Sequence, residues 1–291
     1  MRCLRFDDIT TREVRRMSDK LAPVREFIEK LSENFGKLYI PNEYVTIDEQ
    51  LIPFKGRCPF RQYMPKKPKK YGINVFALVD SKTFYLLKSG NKPDEVVKRL
   101  VRTIRGTNRN VTTDNWYTSI PLAQSLLSEY KLTITGTLCK NKKEIPTEFL
   151  PKRDRVVRSS IFGFTKDITL VSYVPVRNRA VILISMMHHG NKIDESTKNL
   201  QKPEIITPCN KTKGGVDTCY QLCSNYSVAR RTKRWPLAVF FHFLNVFAIN
   251  YFIVYNSKVS NKITRRNFLK LLCKELVKEH QTSRAESQYI P

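Results

Sequence analysis

The sequence has 291 residues, of which 52 are Lys or Arg and 26 are Asp or Glu, giving a formal net charge of +26. This length suits one sizeable core or two domains, and a hydrophobic content of 41% excludes an intrinsically disordered chain. The charge favours a polyanionic partner such as nucleic acid, although a ribosomal or membrane-surface protein would show the same imbalance.

Residues 1–43 are predicted to be helical. Apolar residues recur there at helical spacing, at Val14, Met17, Leu21, Val24, Phe27, Ile28 and Leu31. The chain begins with charged residues rather than with an apolar run, so the sequence does not predict a signal peptide.

The next part of the chain alternates strands and helices. Strands are expected at about 48–54, 73–79 and 84–87, followed by a helix that Pro93 opens and a strand that ends at Asp114. A helix after Ser119 and a strand over 132–137 complete the series. The predicted order is therefore three strands, a helix, a strand, a helix and a strand.

Residues 138–208 have a different character, with short β-rich runs at 168–173 and 180–185 between basic turns. A helix carrying Asp217 is expected after them. Gly214 and Gly215 would let this helix approach a neighbouring strand closely. The segment 218–280 is predicted to be helical and 281–291 to be a frayed tail.

Residues 235–255 are uncharged and long enough to cross a bilayer. His242, Asn245 and Asn250 near the middle, together with Pro236 at the start, favour a buried helix over a membrane span. We therefore expect no membrane association.

Three acids stand in short, distinctive settings: Asp48 in TIDE (46–49), Asp114 in TDNW (113–116) and Asp217 in GGVDT (214–218). Hard divalent cations select oxygen ligands, and phosphodiester chemistry with two such ions needs about three carboxylates. The acids therefore predict a dispersed metal site. Glu49 follows Asp48 directly in a strand, so it should point to the opposite face and is the weaker ligand candidate.

The sequence resembles the piggyBac family of DDE transposases, both around these acids and over nearly the whole chain. The matching segments are RFDD (5–8), TIDEQL (46–51), GRCPFRQYMPKKP (56–68), TDNWYTSIPL (113–122), GT (136–137), KEIP (143–146), NKTKGGVD (210–217) and KRWP (233–236). The chain is accordingly expected to be a shortened member, with 1–43 as the end of a helical DNA-binding and dimerisation region.

The resemblance implies an α/β fold with an RNase H-like catalytic core at 44–217, a β-rich insertion at 138–208 and flanking helical segments. It also implies that Asp48, Asp114 and Asp217 bind two Mg²⁺ or Mn²⁺ ions and catalyse strand cleavage and transfer of double-stranded DNA at TTAA sites. A nuclear location, no small-molecule cofactor and a homodimer as a candidate assembly follow from the same resemblance.

Two departures from the family pattern leave an alternative open. The family places a fourth acid three residues after the last catalytic aspartate, where this chain has Tyr220, and a protonated phenol is a poor magnesium ligand. No cysteine-rich zinc module of the family's type follows Cys223. The alternative is a domesticated or decayed transposase-derived protein that binds DNA without catalysis.

Basic segments are the candidate DNA contacts. The first comprises Lys55, Arg57, Arg61, Lys66, Lys67, Lys69 and Lys70, interleaved with aromatic residues, and the second comprises Arg230, Arg231, Lys233 and Arg234. A solvated loop, or a nuclear import signal for the second, would look the same. Trp116 is expected to anchor the core, and Cys219 and Cys223 to be buried thiols rather than zinc ligands.

Overall fold

One mixed sheet of nine strands is the scaffold of the protein in a computed structural model that describes residues 4–65, 67–90 and 95–286. The strands are β1 Tyr44–Pro53, β2 Arg61–Tyr63, β3 Tyr71–Asp80, β4 Leu86–Gly90, β5 Asn110–Thr113, β6 Thr133–Thr137, β7 Ser160–Phe164, β8 Thr169–Val176 and β9 Arg179–Ser185. The helices are α1 Arg12–Ser18, α2 Arg25–Leu38, α3 Val96–Val101, α4 Ile120–Tyr130, α5 Ile206–Thr212, α6 Gly215–Asn225, α7 Trp235–Lys258 and α8 Arg265–Glu286. Short 3₁₀ turns lie at Ala22–Val24, Arg102–Ile104, Thr147–Phe149 and Glu195–Leu200.

The order of the strands is that of an RNase H-like core. β3 lies between β4 and β1 and is antiparallel to both, whereas β1, β5 and β6 run parallel to one another. Parallel neighbours need a crossover, which α4 provides between β5 and β6. All four residues of β5 are buried, as expected for a central parallel strand. The predicted fold class is confirmed.

The β-rich insertion extends the core sheet. β9 pairs antiparallel with β6, and β8 and β7 follow in two antiparallel pairings. A small second core forms on one face of these strands, where Val171, Tyr173 and Leu183 pack against Ile206 and Cys209 of α5. The insertion thus leads directly into the helices that carry the last candidate acid.

Helix α7 covers the edge of the sheet at β4. By length and composition alone this helix could cross a membrane, but half of its most apolar stretch is buried inside the protein. Asn250 explains a polar group in this apolar run, because its side chain donates to the Leu86 carbonyl at 2.8 Å and accepts from the Leu86 amide at 2.9 Å. These bonds satisfy backbone groups of an edge strand.

Several predicted boundaries were wrong. β4 begins at Leu86 rather than at Phe84, because Phe84 adopts a left-handed conformation with φ of 65° in the turn before the strand. Helix α8 continues to Glu286, inside the stretch predicted to be a tail. Among the apolar residues expected at helical spacing in 1–43, Val14 and Met17 are exposed rather than buried. The predicted helix start at Pro93 lies outside the described residues.

Candidate metal centre

Asp48 and Asp114 lie side by side at one edge of the sheet. The parallel pairing of β1 with β5 sets Ile47 opposite Thr113, so the residue after each of them, Asp48 and Asp114, reaches the same level. Ligand oxygens of Asp48, Glu49 and Asp114 all lie within 4.8 Å of one another. Three hard oxygen donors at this spacing suit one divalent cation. These three residues are called the acidic group below.

Glu49 belongs to the acidic group, although the sequence predicted it to be the weaker ligand candidate. Strand alternation sends the Glu49 side chain to the other face, but β5 ends at Thr113 and no longer separates the two faces beside Glu49. The Tyr117 hydroxyl donates to Glu49 Oε2 at 3.3 Å. Tyr117 follows Asp114 by three residues, so this contact ties Glu49 to the segment that carries Asp114.

Burial and neighbouring carboxylates raise the pKa values of Asp48 and Asp114. Burial, followed by the hydrogen bond and the charge of Glu49, raises the pKa of Asp48 to about 8. Burial likewise raises the pKa of Asp114, while the backbone amide of Trp116 opposes that rise. Carboxylates that repel one another in a partly dry site are stabilised by a bound cation.

A rigid turn fixes the direction of Asp114. Asp114 Oδ1 accepts from the Trp116 amide at 2.9 Å, and the Thr118 hydroxyl donates to the Asp114 carbonyl at 2.6 Å. The hydroxyls of Thr113 and Thr118 lie 2.7 Å apart. Gly136 on β6 leaves room for this pair, because a Cβ there would stand 2.4 Å from Thr118 Oγ1 and 2.6 Å from the Thr113 carbonyl.

Helix α6 brings Asp217 to the same side of β1. A Cβ on Gly215 would stand 3.1 Å from Thr46 Oγ1 and 3.4 Å from Ser81 Cα, whereas one on Gly214 would meet nothing within 4 Å. The predicted close approach therefore holds for Gly215 and was wrong for Gly214.

Lys67 separates Asp217 from the acidic group. Its ammonium donates to Asp217 Oδ1 at 3.1 Å and to the Glu49 carbonyl at 3.3 Å. Burial lowers the pKa of Lys67, but Asp217, Asp48 and Glu49 outweigh it and the net shift is upward. Two of the three predicted acids thus converge, and the third is ion-paired. Sequence inspection missed this role of Lys67, since nothing local relates residues 67 and 217.

The two basic segments meet across one pocket of about 1160 Å³. Of the predicted DNA contacts, the residues that line it are Lys55, Arg57, Lys69, Lys70, Arg230, Arg231 and Lys233. Gly56 lies where the segments touch, because a Cβ there would stand 3.0 Å from the Lys233 carbonyl. Arg61 donates to two carbonyls of its own loop, Arg234 donates to the Leu4 carbonyl, and Lys66 lies outside the described residues.

Trp116 is exposed, and the prediction of a core anchor was wrong. Its side chain stacks on Phe76 with ring centroids 5.7 Å apart, yet 57% of the residue remains exposed. The turn that fixes Asp114 carries Trp116 out of the core and leaves an indole face beside the acidic group. Cys219 and Cys223 are buried thiols, as predicted.

Comparisons with known proteins point to one family. The family model described as Transposase IS4, of the DDE type, matches residues 1–252. Human PiggyBac transposable element-derived protein 3 is 24% identical over 245 residues, which cover 75% of this chain and 41% of that protein. The human Chimeric ERCC6-PGBD3 protein is also 24% identical over 245 residues, covering 75% of this chain and 23% of the chimera. The chain thus spans less than half the length of these relatives.

A solved structure gives the same result for the fold. The cryo-EM structure of a piggyBac transposase synaptic complex with hairpin DNA superposes with a TM-score of 0.92 at 40% identity, covering 99% of this chain and 63% of that one.

Proposed function

The chain belongs to the piggyBac family of transposases, and from that premise we propose that it is a catalytic core for divalent-metal-dependent cleavage and transfer of DNA strands at TTAA sites. The observation that carries this proposal is the convergence of Asp48, Glu49 and Asp114 within 4.8 Å. Residues 44–217 form the core in this proposal, flanked by helical residues 1–43 and 218–280.

The acidic group and Asp217 are the proposed ligands. Two bound Mg²⁺ or Mn²⁺ ions would activate a water and stabilise the leaving 3′ oxygen of the cleaved strand. Asp48 and Asp114 would hold an ion together, because the sheet and the Asp114 turn fix both residues. Glu49 supplies a third oxygen, oriented by the Tyr117 hydroxyl.

Asp217 would join the acidic group as a ligand only after its ion pair with Lys67 breaks. The pair is open to solvent on the Asp217 side, whose side chain is 62% exposed, so the ion pair is weak and separates readily. The Lys67 ammonium would be repelled by a cation held at the acidic group. Lys67 would then be available to a DNA phosphate, and Asp217 would be available as a metal ligand.

Double-stranded DNA is the proposed substrate. The basic pocket lining supplies phosphate contacts, and the exposed Trp116 offers a face on which a base near the metal centre can stack. The solved relative is a complex with hairpin DNA. A nuclear location and a homodimer belong to the proposal through the family resemblance, and no small-molecule cofactor is required.

DNA binding without catalysis is the second candidate function. The Lys67–Asp217 ion pair favours it, because a cation already neutralises the third acid. Tyr220 favours it as well, since burial raises the pKa of its phenol and keeps it protonated. One human relative is described as a transposable element-derived protein, which fits a transposon-derived origin for this candidate function.

Cleavage of a labelled duplex containing TTAA, with Mg²⁺ or Mn²⁺, separates the two functions. Nicking by the wild type that is lost in Asp114→Ala, but kept in Asp167→Ala, supports the catalytic proposal. Asp167 is an exposed acid in the turn between β7 and β8 and serves as the matched control. Retarded but uncut DNA with all three proteins would instead establish binding alone.

A further inference from the structure

Strand β7 forms one edge of the nine-stranded sheet. The sheet order places β8 on one side of β7, and no strand among the described residues pairs with the other side, which is called the free edge below. The opposite edge of the sheet is less open, because helix α7 covers β4 and because β2 is only three residues long. A free edge offers a row of backbone donors and acceptors to an extended chain.

Hydrogen bonds at its two ends fix which way each residue of β7 faces. Before the strand, the Ser159 carbonyl accepts from the Val174 amide at 3.1 Å. After the strand, the Thr165 amide donates to the Ile168 carbonyl at 2.9 Å. Ser159 and Thr165 thus both bond toward β8, and residues along an antiparallel strand alternate between its two sides. The odd-numbered residues of β7 accordingly face β8.

The even-numbered residues of β7 face the free edge. Ser160, Phe162 and Phe164 each direct one amide and one carbonyl away from β8. The five residues of the strand include no charged residue and no proline, which are the residues that usually protect an edge. The backbone of β7 is therefore open to pairing with an added strand.

Aromatic side chains lie along the same edge. The rings of Phe162 and Phe164 are parallel, with centroids 6.3 Å apart and an interplanar angle of 4°. Phe164 is 53% exposed, and Val157 just before the strand is 41% exposed. An added strand with apolar residues at alternate positions would pack them against these rings, as cross-strand pairs do.

The charges around β7 differ between its two ends. Arg158 precedes the strand, and Arg177 and Arg179 flank the turn from β8 to β9 at the same end. At the other end, Lys166 and Asp167 in the turn from β7 to β8 balance each other. Acidic residues of a bound segment are therefore favoured at the end of β7 that lies beside Arg158.

Two other occupants fit the free edge less well. A second copy of this chain, paired antiparallel around Phe162, would place Arg158 of each copy opposite Lys166 of the other, and like charges in such positions are destabilising. A DNA strand lacks the regular row of amides and carbonyls that pairs with a β-strand.

We propose that the free edge of β7 binds an extended acidic segment of a partner protein, which adds a tenth strand to the nine-stranded sheet. The segment pairs its backbone with Ser160, Phe162 and Phe164, and its acidic residues reach Arg158. Antiparallel pairing is the more stable arrangement and puts these acids at the C-terminal end of the segment. The inference concerns a protein partner and does not rest on the proposed DNA cleavage.

The test measures the binding of labelled synthetic peptides to the full chain by fluorescence anisotropy at fixed salt. The acidic probe alternates Thr and Val over six residues and ends in three Glu, and a matched peptide ends in three Lys. Two further versions of the acidic probe carry N-methyl groups at the odd or at the even positions, which removes amide donors from one side only. The acidic probe should bind roughly tenfold more tightly than the Lys peptide, and one methylated version alone should lose binding.

Two pairs of variants place the binding at β7. Phe164→Pro removes an outward amide without breaking the ladder to β8, so it should weaken the acidic probe roughly tenfold or more, whereas Phe164→Ala keeps the amide and should cost only several-fold. Arg158→Asn removes a charge where φ is 69°, a conformation that asparagine tolerates, and should weaken the acidic probe roughly fivefold. Lys166→Gln at the balanced end should change its affinity little. The Arg158 pair keeps the test valid if Phe164→Pro fails to fold.

Three results would overturn the inference. Equal binding of the two methylated peptides would show attraction to the basic surface alone, and no binding of the acidic probe would leave the edge without its proposed partner. A dimer of the chain in sedimentation that Phe164→Pro dissociates would assign the edge to a second copy. Cleavage of the TTAA duplex should be the same in Phe164→Pro and the wild type, so the failure of either proposal is seen separately.

Discussion

Gly136→Ala should distort the candidate metal centre, because Gly136 packs directly against the threonines that hold the Asp114 turn. The new methyl group would stand 2.4 Å from Thr118 Oγ1, 2.6 Å from the Thr113 carbonyl and 2.7 Å from Thr113 Oγ1. Both threonines are buried, so neither can move into solvent. The displaced groups are those that hold the Asp114 turn.

The expected magnitude follows from two contributions. Overpacking a closed site costs about 1–3 kcal/mol, and losing the hydrogen bond between the two hydroxyls costs about 1 kcal/mol more. We expect the free energy of unfolding to fall by about 2–4 kcal/mol, which a domain of ordinary stability survives. Because Asp114 shifts with the turn, Mn²⁺ affinity should fall by roughly tenfold or more. Urea denaturation and Mn²⁺ titration calorimetry measure the two effects.

Gly36→Ala is the matched control for this prediction. A Cβ there meets only Thr103 Cγ2 at 3.6 Å and Thr103 Cβ at 3.9 Å, inside helix α2. It should stabilise the protein by about 0.5–1 kcal/mol and leave Mn²⁺ binding unchanged. If Gly136→Ala matched Gly36→Ala in both stability and Mn²⁺ affinity, the account of the Asp114 turn would be refuted.

Four further predictions concern the metal centre. Burial and Glu49 raise the pKa of Asp48 to about 8, so Mn²⁺ must displace a proton from Asp48 at lower pH. The affinity for Mn²⁺ should therefore rise about tenfold per pH unit from pH 6 to 8 and then level off. A flat pH profile of Mn²⁺ affinity in calorimetry would contradict this prediction. Lys67→Met should raise Mn²⁺ affinity several-fold by removing a competing cation, and an unchanged or weaker affinity would argue against competition. Gly215→Ala should slow cleavage more than Gly214→Ala, since only the first meets neighbouring atoms; equal rates would exclude a role for close helix approach. Trp116→Ala should weaken DNA binding several-fold in an anisotropy titration while leaving Mn²⁺ affinity unchanged, and equal DNA affinity would remove the indole from the substrate site.

The sequence predicted the core because its local patterns agree with its tertiary structure. The strand carrying Asp48 and the strand that ends just before Asp114 are rich in β-branched residues, and each is a central, largely buried strand in the sheet. Parallel register then brings the two acids together without further information. The close approach at Gly215, two residues before Asp217, was predictable for the same reason, since such an approach requires a residue without a side chain.

The rest of the site depends on where neighbouring elements stop. Strand alternation placed Glu49 on the far face, but that rule assumes a partner strand alongside, and β5 ends two residues before the position opposite Glu49. Trp116 lies in the turn that follows the end of β5, and this turn leaves its side chain exposed. The pairing of Lys67 with Asp217 spans 150 residues in sequence and follows only from the folded chain.

Tyr220 lines the basic pocket and follows Asp217 on α6 by three residues. The pocket favours negative groups, whereas a metal site built from acids favours cations. An acid at this position would add a ligand near Asp217 but would also place a carboxylate in a pocket lined by seven cations. The neutral phenol keeps the pocket uniformly positive and leaves the metal to the acidic group and Asp217. Within the proposed function, Tyr220 in place of an acid would therefore favour contact with a DNA strand over an additional metal ligand. If the chain is catalytic as proposed, its rate should depend on how readily the ion pair between Lys67 and Asp217 breaks.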